Sequence, residues 1–285
     1  MASQSTARIL RSPREIKKMR RSGLIVWEAH QAAAQILKPG VTTAELNLAF
    51  RKTFQRHGAT PLFLNYGPKS HPYPAETCVS INDEIVHGIP GPRIVQDGDI
   101  VSLDTGCKID NWCGDAAITH AVGEINSQTK KLLGVTHDAL NVAIKLMETK
   151  KMWSEVATVM MEYVRGHGFS VVEDLTGHGI GNQLHEPPQV PNYWSNEFDA
   201  LDDFEIRPGC VIAVEPMVNA GLKDIECLDD NWTTVTIDGK CSAHFEHTVA
   251  ITKDGPVRLT QAPTNDEELE MVGAAFRDSA DWVKW

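Results

Sequence analysis

Two aspartates eleven residues apart, Asp104 and Asp115, flank a turn in the stretch Ile100 to Val122, IVSLDTGCKIDNWCGDAAITHAV. Both flanks are runs of strand formers, so a turn at Ile109-Asp110-Asn111 makes the stretch a hairpin. That turn sets Asp104 directly opposite Asp115, an arrangement that holds Cβ atoms roughly 4.5–5.5 Å apart. Carboxylates so close repel unless one is protonated or a cation lies between them. Alternation puts Ser102, Gly106, Cys113 and Thr119 on the face of Asp104, and Val101, Leu103, Ala116 and Ile118 on the other. The hairpin therefore reads as a core-facing surface backing two acids over an open site.

Three more residues carry the chemistry of metal ligands. His178 lies in Thr176-Gly177-His178-Gly179-Ile180-Gly181, where flanking glycines allow close backbone approach. Glu215 ends the apolar run VIAVEP, where a carboxylate is costly unless paired or metal-bound. Glu246 opens a similar strand, in FEHTVAIT. Taken singly, each has a plain reading as a surface acid, a loop histidine or a strand end. Together, four carboxylates and one imidazole suit a pair of divalent ions such as Mn, Fe, Co or Zn, whereas a closed structural zinc site would be rich in cysteine.

The elements that must position these residues repeat. Ser12-Pro13-Arg14-Glu15 is a capping box with proline at the first helical position. It opens a helix that carries Ile16, Met19, Val26 and Leu37 and stops at Lys38-Pro39-Gly40, and Thr42-x-x-Glu45 opens a second that ends at Arg56-His57-Gly58. After the hairpin, Ser127 to about Glu148 and Ser154 to Arg165 read as another helix pair ending at Gly166-His167-Gly168. The two helix ends lie 110 residues apart. Beyond each, a glycine leads a strand that ends in an acid six residues later, Gly98 to Asp104 and Gly209 to Glu215. A histidine precedes each strand, His87 in VHGIP and His185 in LHEPP. This is one α+β body of two helix–helix–sheet halves, its acids meeting at an internal pseudo-twofold axis.

Bulk properties exclude several classes. The chain has 285 residues, 42% hydrophobic and 23% charged, with a net charge of −11, which argues against wholesale nucleic-acid binding. Its six cysteines show no CxxC pair and no zinc-finger spacing, and read as buried thiols in a reducing cytoplasm. The start lacks a signal-peptide core, and no apolar run approaches the ~20 residues needed to span a bilayer. Arg8 to Arg21 holds seven basic residues against Glu15 alone, which is either a solvated helix face or a patch for an anionic surface such as ribosomal RNA. The expected organisation is an extension over 1–11, one catalytic domain over 12–260 and an acidic tail over 261–285.

The motifs VHGIP, LDTG…GD, GHGIG, LHEPPQV, VEPMVNAG and FEHTV run in order from about Ser12 to Thr252 and together resemble the type I methionine aminopeptidases. The resemblance implies the pita-bread fold, helix pairs packed on a curved antiparallel sheet around a dinuclear metal site. It implies removal of the initiator methionine from new chains with a small second residue, so the expected partners are nascent N-terminal peptides. Nothing in the sequence demands more than a cytoplasmic monomer. Carried onto this chain, it makes Asp104, Asp115, His178, Glu215 and Glu246 the metal ligands, with Glu215 also shuttling a proton. His185 would stabilise the oxyanion and His87 would contact the scissile amide. Tyr73, Cys78 and Trp232 match positions of the methionine pocket, and Phe63, Tyr66 and Leu184 are expected beside them.

Four rivals remain. Leu103-Asp104-Thr105-Gly106 also fits an aspartic-protease signature, but that mechanism needs two such acids, and the chain has no second DTG or DSG. Prolidases and Xaa-Pro aminopeptidases resemble the site but carry a large extra N-terminal domain. A type II methionine aminopeptidase has a helical insertion for which the 37 residues from His178 to Glu215 leave no room. A non-catalytic relative would have lost ligands that are all present here.

Overall fold

A computed structural model describes residues 10–195, 198 and 203–273. Two helix pairs flank antiparallel sheets. Helices α1 (Pro13–Ile36) and α2 (Thr43–His57) begin at the expected capping boxes, where Ser12 and Thr42 each accept from the backbone of Glu15 and Glu45. These caps satisfy amides that a helix start otherwise leaves without partners. Helices α3 (Ser127–Leu146) and α4 (Trp153–Gly166) form the second pair. A short helix α5 (Asp266–Met271) lies against α1.

Each helix pair covers its own half of the core. Val26, Ala29, Leu46, Phe50 and Phe54 pack on Val79, Val101 and Leu103 in the first half. Leu132, Leu140, Trp153, Val156 and Met160 pack on Ile212, Val214 and Val249 in the second. Among the described residues, all strand pairs are antiparallel.

The repeat read from the sequence recurs in the backbone. Gly98 (φ 90°) and Gly209 (φ 97°) both adopt the left-handed conformation that glycine enters without steric cost. Gly98 N–H donates to Val122 C=O, and Gly209 N–H to Ile251 C=O, each at 2.8 Å. Val122 and Ile251 donate back to Asp99 and Cys210. Asp104 and Glu215 thus occupy equivalent positions 111 residues apart. The preceding strands, Cys78–Ile81 and Thr176–Gly179, pair at Ser80↔Ser102 and His178↔Ala213, a shift of 98 residues. His87 and His185 are separated by the same 98 and are counterparts.

One expectation is overturned. The hairpin closes through Ile109↔Trp112 around Asp110 and Asn111, both in left-handed conformation at φ 49° and 69°. Two consecutive positive-φ residues are the requirement of a tight two-residue hairpin turn, and Asp and Asn tolerate it better than most side chains. Centring the turn one residue later slips the register by two, so Asp104 faces Ala117 and Asp115 faces Gly106. The aspartates are diagonal neighbours, roughly 7–8 Å apart along the backbone. A slip of two preserves side-chain parity. Both acids therefore share a face, and Leu103 and Ala116 are buried on the other as expected.

The basic segment is largely engaged within the fold. Arg11 pairs with Glu186, Lys17 with Glu267, Arg20 with Glu268 and Arg21 with Asp110. Arg11, on the extension side of the boundary expected at residue 12, is buried. Asp266–Met271, on the tail side of the boundary expected at 260, packs on α1 through those ion pairs. Cys78, Cys107, Cys113, Cys227 and Cys241 are free thiols. Among the described residues, no helix is long and apolar enough to cross a membrane.

Candidate metal centre

Every residue singled out in the sequence lines one cavity of about 190 Å³. Asp104, Asp115, His178, Glu215 and Glu246 gather with His87 and His185, while Phe63, Tyr66, Tyr73, Cys78, Leu184 and Trp232 form its apolar side. Each half supplies part of the donor set. Asp104 and Asp115 project from the two hairpin strands, Ile100–Ile109 and Trp112–Ala121. His178 lies on Thr176–Gly179, Glu215 follows Val211–Val214, and Glu246 precedes His247–Thr252. The halves are joined where the Glu246 N–H donates to the carbonyl of Ala117, the residue opposite Asp104, at 2.9 Å.

The main chain at three of the candidate ligands is pinned by neighbouring side chains. Thr77 Oγ1 donates to the Asp104 carbonyl at 2.6 Å, Thr248 Oγ1 to the Asp115 carbonyl at 2.8 Å, and Asn192 Nδ2 to the Glu215 carbonyl at 3.0 Å. His178 Nδ1 lies 3.0 Å from the Gly179 carbonyl, so its proton belongs there and Nε2 is left as a ligand atom. That Nε2 is 3.5 Å from Glu215 Oε1 and 4.0 Å from Asp115 Oδ2. Ligand atoms of Asp115, His178 and Glu246 all lie within 4.8 Å of one another.

This donor set fits a metal. Asp104 Oδ1, Asp115 Oδ1 and Glu246 Oε1 are buried and accept no hydrogen bond, although buried polar atoms are ordinarily paired. Among the described residues, no Lys or Arg lines the cavity. Burial raises all four carboxyl pKa values, Asp115 to about 7 and Asp104, Glu215 and Glu246 well above the ordinary range, the last three also through repulsion by their neighbours. Burial, with the nearby His185, drives His178 down to about 3, so it is neutral and free to ligate. Four crowded carboxyls, with oxygens that lack donors and no cationic side chain beside them among the described residues, make a candidate cation site.

His87 is held with φ 62°, an uncommon conformation for a residue with a Cβ. Its strained turn is fixed by its neighbours: Gly88 N–H donates to Ser80 Oγ, and the Gly88 carbonyl accepts from Val79 N–H and Tyr73 Oη. Burial, then His185, lowers the His87 pKa to about 4. His185 stands at the exposed rim, its Nδ1 hydrogen-bonded to Tyr66 Oη.

On the apolar side, Tyr73 packs edge-on against Trp232, ring centroids 5.2 Å apart, and both belong with Cys78 and Phe63 to one cluster. Helix α2 sets this wall. Asn47 Oδ1 accepts from the Glu76 and Thr77 amides, and Asn47 and Arg51 both donate to the Glu76 carboxylate.

The cavity also includes His244, Met217, Thr176, Leu175 and Val86, which the sequence reading missed. Buried His244 places Nε2 3.6 Å from Glu215 Oε2. The repeat contained the signal. The 129-residue shift from Val122 to Ile251 maps Asp115 onto His244 and Ala117 onto Glu246. The halves are thus structural counterparts with different donors on the second strand.

Comparison with known proteins places the chain in context. The model of metallopeptidase family M24 matches residues 17–253. The chain is 42% identical over 253 residues to methionine aminopeptidase 1 of Bacillus subtilis, covering 89% of this chain and 99% of that protein. The structure of methionine aminopeptidase from Thermotoga maritima superposes with TM-score 0.83 at 37% identity, over 89% of this chain and 99% of that one. Prolidase from Pyrococcus furiosus shares the fold at TM-score 0.70 and 21% identity, with this chain spanning 66% of its length.

Proposed function

This chain belongs to metallopeptidase family M24, and from that premise we infer that it is a metal-dependent methionine aminopeptidase, a hydrolase that removes the amino-terminal methionine from peptides. Its architecture is the pita-bread fold. The observation that carries the reading is the convergence, beside one apolar slot, of five donor side chains drawn from both halves.

Asp104, Asp115, His178, Glu215 and Glu246 would hold two divalent ions, of which Mn, Fe, Co and Zn all suit oxygen-rich donors with one imidazole. When bound, such ions supply Lewis acidity and a water acidified toward neutrality. The chain's own residues do the rest. Tyr73, Cys78, Phe63, Leu184 and Trp232 accept the unbranched thioether, for which a shape-filling apolar slot is the requirement. Glu215 takes the proton of the attacking water and returns it to the departing amine. His185 donates to the oxygen that gains charge as the carbonyl becomes tetrahedral, and His87 contacts the scissile amide.

The test is methionine release from Met-Ala-Ser, with Mn or Co added and with chelator as control. A Pro-x-x peptide and an x-Pro dipeptide serve as specificity controls. Metal-dependent release from Met-Ala-Ser alone is expected; turnover of the x-Pro dipeptide instead would move the chain to the prolidase branch. Nascent N-termini with a small second residue are the proposed substrates, in a cytoplasm whose reducing conditions agree with the free thiols of Cys78, Cys107, Cys113, Cys227 and Cys241. Any ribosome contact through α1 would fall mainly to Arg14 and Lys18, since Lys17, Arg20 and Arg21 of that helix are ion-paired.

A further inference from the structure

An imidazole can donate to an oxyanion only when its proton is on the nitrogen that faces the substrate, and the hydrogen bond at the other nitrogen decides that. The His185 ring is edge-on to His178, with centroids 4.2 Å apart, and edge-on to Tyr66 at 5.2 Å. On the Tyr66 side, Nδ1 is within hydrogen-bond range of the phenol oxygen. We propose that Tyr66 is a positioning residue whose O–H donates to His185 Nδ1, fixing the ring as the Nε2–H tautomer. This rests on the oxyanion role given to His185 above. A neutral imidazole carries one donor and one acceptor, and a phenol O–H is a better donor than its oxygen is an acceptor. The reverse arrangement, Nδ1–H donating to the phenol, would leave a bare lone pair on Nε2, where negative charge must develop.

Tyr66 is half open to solvent, yet its loop is built to hold it. Asn65 N–H donates to Tyr73 C=O and Tyr73 N–H to Tyr66 C=O, each at 2.8 Å, while Tyr66 N–H donates to Phe63 C=O at 2.9 Å. Gly67, at φ 88°, lies so close to the Trp232 ring that an added Cβ would come within 2.5 Å of it. Trp232 Nε1 donates to the His71 carbonyl at 3.1 Å, closing the loop over its own glycine. The loop carrying His185 is held from the opposite side. Glu186 Oε1 accepts from the Asn182 and Gln183 amides, and its other oxygen is paired with buried Arg11. Two anchored loops thus meet at the Tyr66–His185 hydrogen bond.

The test uses the full chain with 15N-labelled histidine, metal-free and zinc-loaded, and assigns His185 by the signal lost in His185→Asn. Long-range proton–nitrogen spectra should show His185 protonated at Nε2, with its Nδ1 resonance shifted by the accepted phenol proton. In Tyr66→Phe that resonance should return toward a non-bonded position. Loss of one neutral hydrogen bond should lower kcat on Met-Ala-Ser by about three- to tenfold and leave KM within about twofold. A thermal melt confirms that the variant is folded, and Tyr66→His serves as a second variant, restoring a donor and expected to recover part of the shift. An Nδ1-protonated ring in the parent protein, or an unchanged Nδ1 resonance in Tyr66→Phe, overturns the proposal. If no peptide releases methionine, the functional reading falls, and the spectra still decide the role of Tyr66.

Discussion

At the scale of single residues, the site combines electrostatic strain with conformational strain. Asp104 is buried, repelled by Asp115 and short of a donor, so its carboxylate costs stability unless a cation compensates it. Asp104→Asn should therefore abolish metal-dependent activity while leaving the metal-free protein at least as heat-stable as the parent. Differential scanning calorimetry with chelator and with Mn checks both parts, and a lower melting temperature in chelator would contradict the argument. His87 presents the other kind of strain. A non-glycine residue at left-handed φ costs of order 1–3 kcal/mol, which glycine would relieve. His87→Gly should remain within about 1 kcal/mol of the parent in urea unfolding, offset by the greater freedom of glycine when unfolded, yet lose at least about a hundredfold in kcat/KM.

At the scale of elements, much was legible because local rules and packing agree. The helices begin at Ser12 and Thr42 because their capping boxes leave little alternative, and the acids share a face because strand parity survives a two-residue slip. The slip itself was not legible, since strand pattern fixes the face and turn chemistry fixes the register. Asp110-Asn111 was the cue, two residues that tolerate positive φ. The basic run Arg8 to Arg21 was ambiguous for a different reason. Whether a cation is solvated or paired depends on acids that are distant in sequence, as with Arg11 and Glu186, 175 residues apart. Those two side chains are only 6% and 9% exposed, and removing one partner of a buried pair strands the other. Arg11→Ala should cost about 3 kcal/mol in unfolding free energy and loosen the His185 loop, detected as faster amide exchange at Asn182 and Gln183. Unchanged exchange there would mean that the ion pair does not restrain the loop. Gly67→Ala should weaken substrate binding, seen as a raised KM, by pushing Trp232 aside.

At the scale of the whole molecule, the fold brings titratable groups into its dry interior as well as its site. His30, whose Nε2 lies 2.9 Å from the Ala116 carbonyl, and His120 are both buried where α1 packs behind the hairpin. Burial lowers their pKa values to about 4 and about 3. The unfolded chain binds these protons more readily, near pH 6.5, so stability is full above that value. It should fall by about 1.4 kcal/mol per pH unit for each histidine as pH drops toward 4. Urea titrations of the parent and of His120→Gln between pH 7 and 5 should diverge by that slope, since the raised carboxyls of the metal centre act alike in both. The same scale explains what sequence reading could reach. The glycine-to-acid repeat exposed the twofold plan, but His244 escaped because its counterpart is an aspartate and repeat matching seeks likeness. The twofold plan also has a practical side. Asp104 and Asp115 precede the connection at Gly123–Asn126, and His178, Glu215 and Glu246 follow it, so a chain cut there yields two pieces, neither able to cage an ion alone. The Glu246–Ala117 hydrogen bond would have to re-form between separate molecules, with the cation as a rivet, and peptide cleavage would then report that two polypeptides had met.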